Sequence, residues 1–417
     1  MAIIVGAFVA SQGEPWVECA THMATITLQR GRVQPVWAGH PWVYAQAIER
    51  IDGAPTGGDV VDVVDPEGRY LGRGYYTPGS AIPVRIGTRD RTDALDGASI
   101  GRKLERAYAL RARLGFPNAE TTGFRLVHAE GDGLPGLIVD VFGELAVVQL
   151  LTLGMKLREG DVFAHVARVS GAKTIIEAAS EKAAEREGFE STTRVVRGPD
   201  PGAIRFLERG LEFEIESAMT QKTGFYFDQR ENRARVESMA HGARVLDAYS
   251  FMGAFGLSAA RGGAASVLSV DSSAPAVAMG ARNAHRHGFA GKMSFERADV
   301  KNVLRDLQAK HERFDLVVLD PPKLAPTVKH LDRARVAYRR LNAEGVKVVA
   351  SEGILVTCSC SAAMTAEDFV RTVTLAARDA NADVSLLAMG SQGPDHPVPG
   401  AFPEGRYLKC AFFRVSR

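Results

Sequence analysis

The second half of this chain constrains its fold more than any other feature. From about residue 216 onward, short apolar runs alternate with helical stretches, and most of the runs finish on a carboxylate. RVLDAY (244–249), SVLSVD (266–271), MSFERAD (293–299), FDLVVLD (314–320) and GILVTCS (353–359) are strand candidates. Between them, 274–288 and 331–350 carry apolar residues at helical spacing. Such alternation implies an α/β fold: a mostly parallel sheet covered on both faces, with ligands at the carboxyl ends of the strands.

The first half reads differently, and 417 residues leave room for two or three domains. From Ala24 to about Gly97, ATITLQ, GDVVDVVD and AIPVRI are strand-like and separated by turns at Gly39, Gly57-Gly58, Pro66-Glu67-Gly68 and Pro78-Gly79. That is a small, mostly β module, taken here as residues 24–98. At Ile100 the character changes. Leu104, Ala107, Leu110 and Leu114 follow the helical period, with Arg102, Lys103, Arg106, Arg111 and Arg113 interleaved. The arginines are either a solvated helix face or the edge of a surface that meets phosphates. GLIVDVFG, LAVVQLLT and TIIEA then read as strands around a helix at 156–171, so residues 99–215 form an α+β segment and 216–417 the alternating one.

Composition narrows the setting. A net charge of +2 announces no general affinity for polyanions, so any basic surface is local. Cys19, Cys358, Cys360 and Cys410 are too few for a disulfide framework, which points to a reducing, cytoplasmic environment. No apolar run is long enough to span a membrane. MAIIVGAFVA has no basic residues before it and no A-x-A site after it, which argues against a signal peptide. Residues 1–23 fit nothing downstream, and Thr21-His22-Met23 reads as a junction or a second start.

The strand at 244–249 contains Asp247 and runs into a glycine turn with Gly253 and Gly256. Glycines there let a ligand approach the backbone, but Phe251 stands where a dinucleotide fingerprint needs its first glycine, which disfavours nicotinamide binding. Asp271 ends the next strand, about the right distance on to meet ribose hydroxyls. Asp299 and Asp320 end the two after that. Any one of these acids could be a helix cap or a solvated loop residue. Four in succession fit a nucleoside with several polar groups better.

Asp320-Pro321-Pro322-Lys323 follows an apolar strand, and consecutive prolines there fix the backbone. Lys323 occupies the place where enzymes that methylate exocyclic nitrogens carry an aromatic residue, which argues against that reaction. Val356-Thr357-Cys358-Ser359-Cys360-Ser361 ends another strand, and if the strand continues both thiols share a face. A cysteine is commonly a small buried hydrophobe, and no second Cys or His cluster completes a metal site, so none is expected. One chemistry does require a thiol. C5 of cytosine becomes nucleophilic once a thiolate adds at C6, which is covalent catalysis.

Together these segments make the chain similar to bacterial 23S ribosomal RNA cytosine-C5 methyltransferases. That family has an N-terminal PUA domain, a central α+β domain and a class I (Rossmann-like) S-adenosylmethionine-dependent methyltransferase domain. The likeness lies in GHPWVYAQAI, YLGRGYY, RLVHAEGDGLPGLIVDVFG, QKTGFYFDQRENR, DPPK, TCSCS and DHPVPGAFPEGRYLK, and it extends from about residue 26 to the end. The resemblance implies S-adenosylmethionine as cofactor and ribosomal RNA as partner; it implies no membrane, and a homodimer stays open. Asp247, Tyr249 and Gly253 would belong to the cofactor loop, and Asp271 with Ser272 to the ribose contact. Asp299 would lie on the adenine side, and Asp320 with Pro321 on the methionine side. Phe227, Gln229 and Arg230 match the segment that precedes the cofactor strand. The family's thiol sits between serines, so Cys360 would attack C6 while Cys358 or a water assists proton loss. Family loops commonly carry a Thr-Gly or Gly-Gly pair where this chain has Ser250-Phe251-Met252-Gly253. A 7-methylguanosine enzyme and a non-catalytic ribosome-assembly factor are the rival readings.

Overall fold

The computed structural model describes residues 23–216, 224–324 and 330–417. Residues 1–22, and Gln221 to Thr223 of the segment before the cofactor strand, lie outside the described residues. Among those described, no helix is long and apolar enough to cross a membrane.

Val61 and Val63 point into the core, and from Leu71 to Tyr76 both faces are buried, in a six-stranded sheet ordered Trp42–Val43, Val84–Thr88, Tyr70–Tyr76, Val60–Val64, Thr25–Leu28 and Ile48–Asp52. Its core is Ile26, Val61, Val63, Val84 and their neighbours. A five-stranded sheet follows, from Gly123–His128 through Leu137–Phe142, Leu145–Leu150 and Thr174–Glu177 to Arg194–Arg197. Helices Gly97–Arg113 and Glu159–Ser170 pack on it, the first capped by the Asp96 side chain accepting from the Ser99 N–H. Two of the five basic residues on that first helix face inward. Lys103 bonds Asp93 at 2.7 Å, and the fully buried Arg111 forks onto Asp132. Arg106 and Arg113 remain exposed, and Arg102 is half-paired with Asp93.

The alternating half is a seven-stranded sheet. Its strands are β1 (Arg244–Ala248), β2 (Ser266–Asp271), β3 (Met293–Arg297), β4 (Phe314–Leu319), β5 (Val349–Ser359), β6 (Asp383–Gly390) and β7 (Lys409–Ser416). They lie in the order 3-2-1-4-5-7-6, with β1 to β5 parallel and β7 antiparallel to both neighbours. Helices α1 (Arg230–Met239), α2 (Ala254–Arg261) and α3 (Ala274–Arg286) cover one face with Val236, Leu257 and Met279. Helices α4 (Val300–Ala309), α5 (Leu331–Val348) and α6 (Ala366–Asp379) cover the other with Leu304, Tyr338 and Phe369. The order reverses between β1 and β4, so the crevice for a ligand opens at their carboxyl ends.

A buried ionic cluster joins this sheet to the five-stranded one. Asp395, in the connection from β6 to β7, receives Arg230 from α1 at 2.9 Å, the Arg125 N–H at 3.1 Å and His396 Nδ1 at 2.9 Å. Its carbonyl accepts from Arg111 at 2.7 Å, and Arg230 stacks over Phe116 at 4.4 Å. Burial alone would push the Asp395 carboxyl up; the bond with His396, the Arg230 charge and the Arg125 N–H outweigh it and hold the group well below the usual carboxylate range. Asp395→Ala leaves the Arg230 guanidinium, the Arg125 N–H and the His396 ring buried without this acceptor and is expected to cost about 3–5 kcal/mol in urea denaturation. A folded value below the unfolded one means that this stability is present above the ordinary carboxylate range and is lost as pH falls through it. Asp395→Asn should therefore flatten the acid limb of stability against pH.

Candidate active site

At the end of β1 the chain turns through three left-handed residues, Tyr249 (φ 62°), Phe251 (φ 51°) and Gly253 (φ 74°). Gly253 starts α2, and a Cβ there would stand 2.7 Å from the Phe295 ring. Asp247 is fully buried beneath this turn. One carboxylate oxygen accepts the Gly256 N–H at 2.9 Å; the other, Oδ1, has no hydrogen-bond partner among the described residues. Burial pushes its carboxyl up to about 7, with Asp320 and Asp271 adding to the shift against the Gly256 bond. Asp271, at the end of β2, ties the turn in place: its carboxylate accepts from the Phe251 N–H at 2.9 Å and the Ser273 N–H at 2.8 Å. Ser272 is exposed beside it. Asp299 caps α4, accepting from Lys301 and Asn302 N–H groups, and its charge reaches the half-buried Tyr249.

Asp320 follows β4 and faces the same crevice. Its Oδ2 accepts from Gln229 Nε2 at 3.1 Å, and Gln229 in turn accepts from Asn232 at 2.6 Å. Burial, then the nearby Asp228 charge, pushes Asp320 up to about 7. Pro321 is buried behind it, and Lys323 is exposed.

The two cysteines of β5 have different surroundings. Cys358 pairs across the ladder with Cys410 and is fully buried in the core. Its thiol is raised well above the ordinary value by burial and by Cys410. The strand ends at Ser359, so Cys360 has left the ladder and the two thiols do not continue one strand face. Cys360 is only partly buried. Burial, then Asp320, pushes its thiol up to about 11, and Lys323 opposes them. Lys409, opposite Ser359 on β7, donates to the Ser361 carbonyl at 2.6 Å; burial pulls it down to about 8 against the pull of Cys360. A cleft of about 710 Å³ opens beside this loop, with Met364, Gln392, His396 and Lys409 in its lining.

The structure thus gathers Asp247, Tyr249, Gly253, Asp271, Gln229, Asp320 and Cys360 around one crevice. It turns two expected residues away: Arg230 is spent on Asp395, and Phe227 lies in an aromatic cluster with Phe142, Phe206 and Phe225. Cys358 lies inside the core, yet its thiol meets Asp320 and Gln229 from behind the crevice. Asp228, Tyr407 and Lys409 were not singled out from sequence, although all three stand in motifs that were, GFYFDQRENR and the tail ending RYLK.

Residues 26–89 match the family of PUA-like domains, and residues 182–398 match S-adenosylmethionine-dependent methyltransferases. Ribosomal RNA large subunit methyltransferase I of Alteromonas mediterranea is 38% identical over 394 residues, covering 94% of this chain and 99% of the relative. The protein of the same name from Aeromonas salmonicida is 36% identical over 392 residues, with the same coverage. In fold, the chain is similar to a SAM-dependent methyltransferase structure from Streptococcus mutans, with a TM-score of 0.81 at 18% identity over 94% of this chain and 100% of that one. Trm5b of Pyrococcus abyssi shares the fold more loosely, with a TM-score of 0.51 at 16% identity over 67% of this chain and 75% of that one. By these matches the chain belongs to the ribosomal RNA large subunit methyltransferase I family, S-adenosylmethionine-dependent enzymes with a PUA-like domain.

Proposed function

We propose that this protein forms 5-methylcytosine in 23S ribosomal RNA through a transient bond between Cys360 and C6 of the target base. The observation that carries the reading is the placement of Cys360: a partly buried thiol released from the end of β5 into a crevice lined by carboxylates. The names of the relatives supply the substrate class.

The crevice fits S-adenosylmethionine. The unpartnered Asp247 Oδ1 is an acceptor suited to an ammonium, the Gly253 turn admits a ligand close to the backbone, and Asp271 stands at the strand end where a ribose is met. Tyr249, Ser272 and Asp299 extend this side towards the adenine, and Gln229, Asp320 and Pro321 close the methionine side. Phe227 and Arg230 flank Gln229 in the chain and anchor it there, Phe227 in the aromatic cluster and Arg230 on Asp395. When bound, the cofactor supplies an electrophilic methyl group on a sulfonium centre.

The chain's own residues prepare the base. Ionised Asp320 takes the Cys360 proton; its raised value makes it a stronger base than an ordinary carboxylate. Sγ then bonds to C6, the C5=C6 electron pair moves through C4 to N3, and Asp320 returns the proton there. C5 is now part of an enamine and can accept a methyl group. A water takes the C5 proton, the C5=C6 bond re-forms as the Sγ–C6 bond breaks, that pair returns to Sγ as a thiolate, and Asp320 carries the N3 proton back to it. The RNA is held by residues 24–98 and by the exposed Arg102, Arg106 and Arg113 of the central segment, 99–215, with the target flipped into the 216–417 unit. Cytoplasmic RNA is the expected substrate.

Cys360→Ser should keep S-adenosylhomocysteine binding and cut label in 5-methylcytidine by roughly a thousandfold or more, read by nucleoside mass spectrometry on unmodified large-subunit RNA. Normal label in 5-methylcytidine in that variant would overturn the covalent step, and label in 7-methylguanosine, which needs no thiol, would replace the reading. Cys358→Ala should leave turnover nearly intact and cost about 1–2 kcal/mol of stability, since it empties volume in the core. Affinity for S-adenosylhomocysteine should tighten as pH rises through about 7, because Asp247 faces an ammonium best when it has lost its proton. In calorimetric titrations, Asp247→Asn should weaken binding and remove that slope.

A further inference from the structure

Asp228 lies one residue before Gln229, on the short turn Phe227–Gln229 that leads into α1. It differs from the other acids of the crevice in how it is held. Tyr407, on the connection into β7, donates its hydroxyl to Asp228 Oδ2 at 2.7 Å, and the Gly393 N–H donates to the Asp228 carbonyl at 2.9 Å. Both the backbone and one carboxylate oxygen are therefore pinned by the tail that crosses the site. The other oxygen, Oδ1, is buried and has no hydrogen-bond partner among the described residues. A buried, unmatched acceptor costs on the order of 1–3 kcal/mol, so it is retained where a ligand supplies the donor. The neighbouring Gln229 bonds Asp320, and the charge of Asp228 is felt at Asp320 and Cys360, so Asp228 belongs to the Asp320–Cys360 side of the crevice.

We propose that Asp228 Oδ1 accepts a hydrogen bond from the exocyclic amine of the target cytosine and selects it against uracil. The inference rests on the cytosine reading above. Cytosine offers a donor at N4 and an acceptor at N3, and uracil reverses both. A fixed carboxylate pairs with the N4 amine and repels the uracil O4. Tyr407 is a positioning residue: it occupies Oδ2 and so turns Oδ1 to the base. With N4 held by Asp228, the N3 edge meets Asp320, the group assigned to carry the proton.

The test compares wild type, Asp228→Asn and Tyr407→Phe on two large-subunit transcripts that carry cytidine or uridine at the modified position. Asparagine still accepts the Tyr407 hydroxyl, so an unchanged melting temperature is expected. Asp228→Asn should lower kcat/KM on cytidine on the order of 100-fold and shift the cytidine-to-uridine ratio at least about tenfold towards uridine. S-adenosylhomocysteine affinity should stay within about threefold. Tyr407→Phe should lower the same ratio less, at unchanged cofactor affinity. An unaltered ratio in both variants overturns the proposal. So does a loss of S-adenosylhomocysteine binding that matches the loss of rate, which would make Asp228 a cofactor ligand. If the wild type labels no cytidine, the parent reading has failed and base selection by Asp228 falls with it; activity in the wild type with an unchanged ratio in the variants sinks this inference alone.

Discussion

One buried carboxylate fixes how the halves of this molecule meet. Asp395 sits on a loop between the last two strands of the catalytic sheet, yet its partners come from the central sheet, from its leading helix and from the start of α1. Taking a charge that far from water is costly, and the cost is offset only when every lone pair finds a donor at once. Assembly of the site is thereby conditional. The tail holds Asp228 through Tyr407 and the loop bearing Cys360 through the Lys409 bond to the Ser361 carbonyl, and Arg111, Arg125 and Arg230 anchor it at Asp395.

The electrostatics of the crevice follow from the same crowding. Asp247, Asp271, Asp320 and Asp228 converge at the ends of parallel strands, where burial and mutual repulsion lift two of them to about 7. Buried structural acids such as Asp395 and Asp93 are held down by His396 with Arg230 and by Lys103; these two are not held down. The cations nearest the thiol are lysines, one exposed and one pulled down by burial. The site keeps negative potential and proton-carrying capacity together, which suits a positively charged ligand and a base that must be protonated during the reaction.

Much of this was legible in the sequence. The period of apolar runs gave the parallel core of the sheet, because strands buried on both faces leave a continuous apolar signature. The antiparallel end, β6 and β7, was missed. β6 is an edge strand with Leu386 and Leu387 exposed, and it carries no such signature. The strand-end acids and Cys360 were legible because chemistry and position coincide there. Arg230, Lys103 and Arg111 were not, because a basic residue on a helix looks the same in sequence whether it meets solvent or a buried aspartate. The shared face expected for Cys358 and Cys360 held only on condition that the strand continued, and this one stops at Ser359. Asp228 was overlooked because its significance lies in an empty acceptor, which no local pattern encodes.

The departure at Phe251 has a consequence of its own. A bulky residue held at positive φ carries about 1–3 kcal/mol of backbone strain that a glycine would not. In return its amide is tied to Asp271 and its ring meets Tyr226 edge-on at 5.6 Å, so the cofactor turn is clasped to the segment that bears Asp228 and Gln229. A glycine at position 251 would relax the backbone and lose the clasp. Positions 226 and 251 are therefore coupled: without the Tyr226 ring, Phe251 would keep its strain and lose its contact.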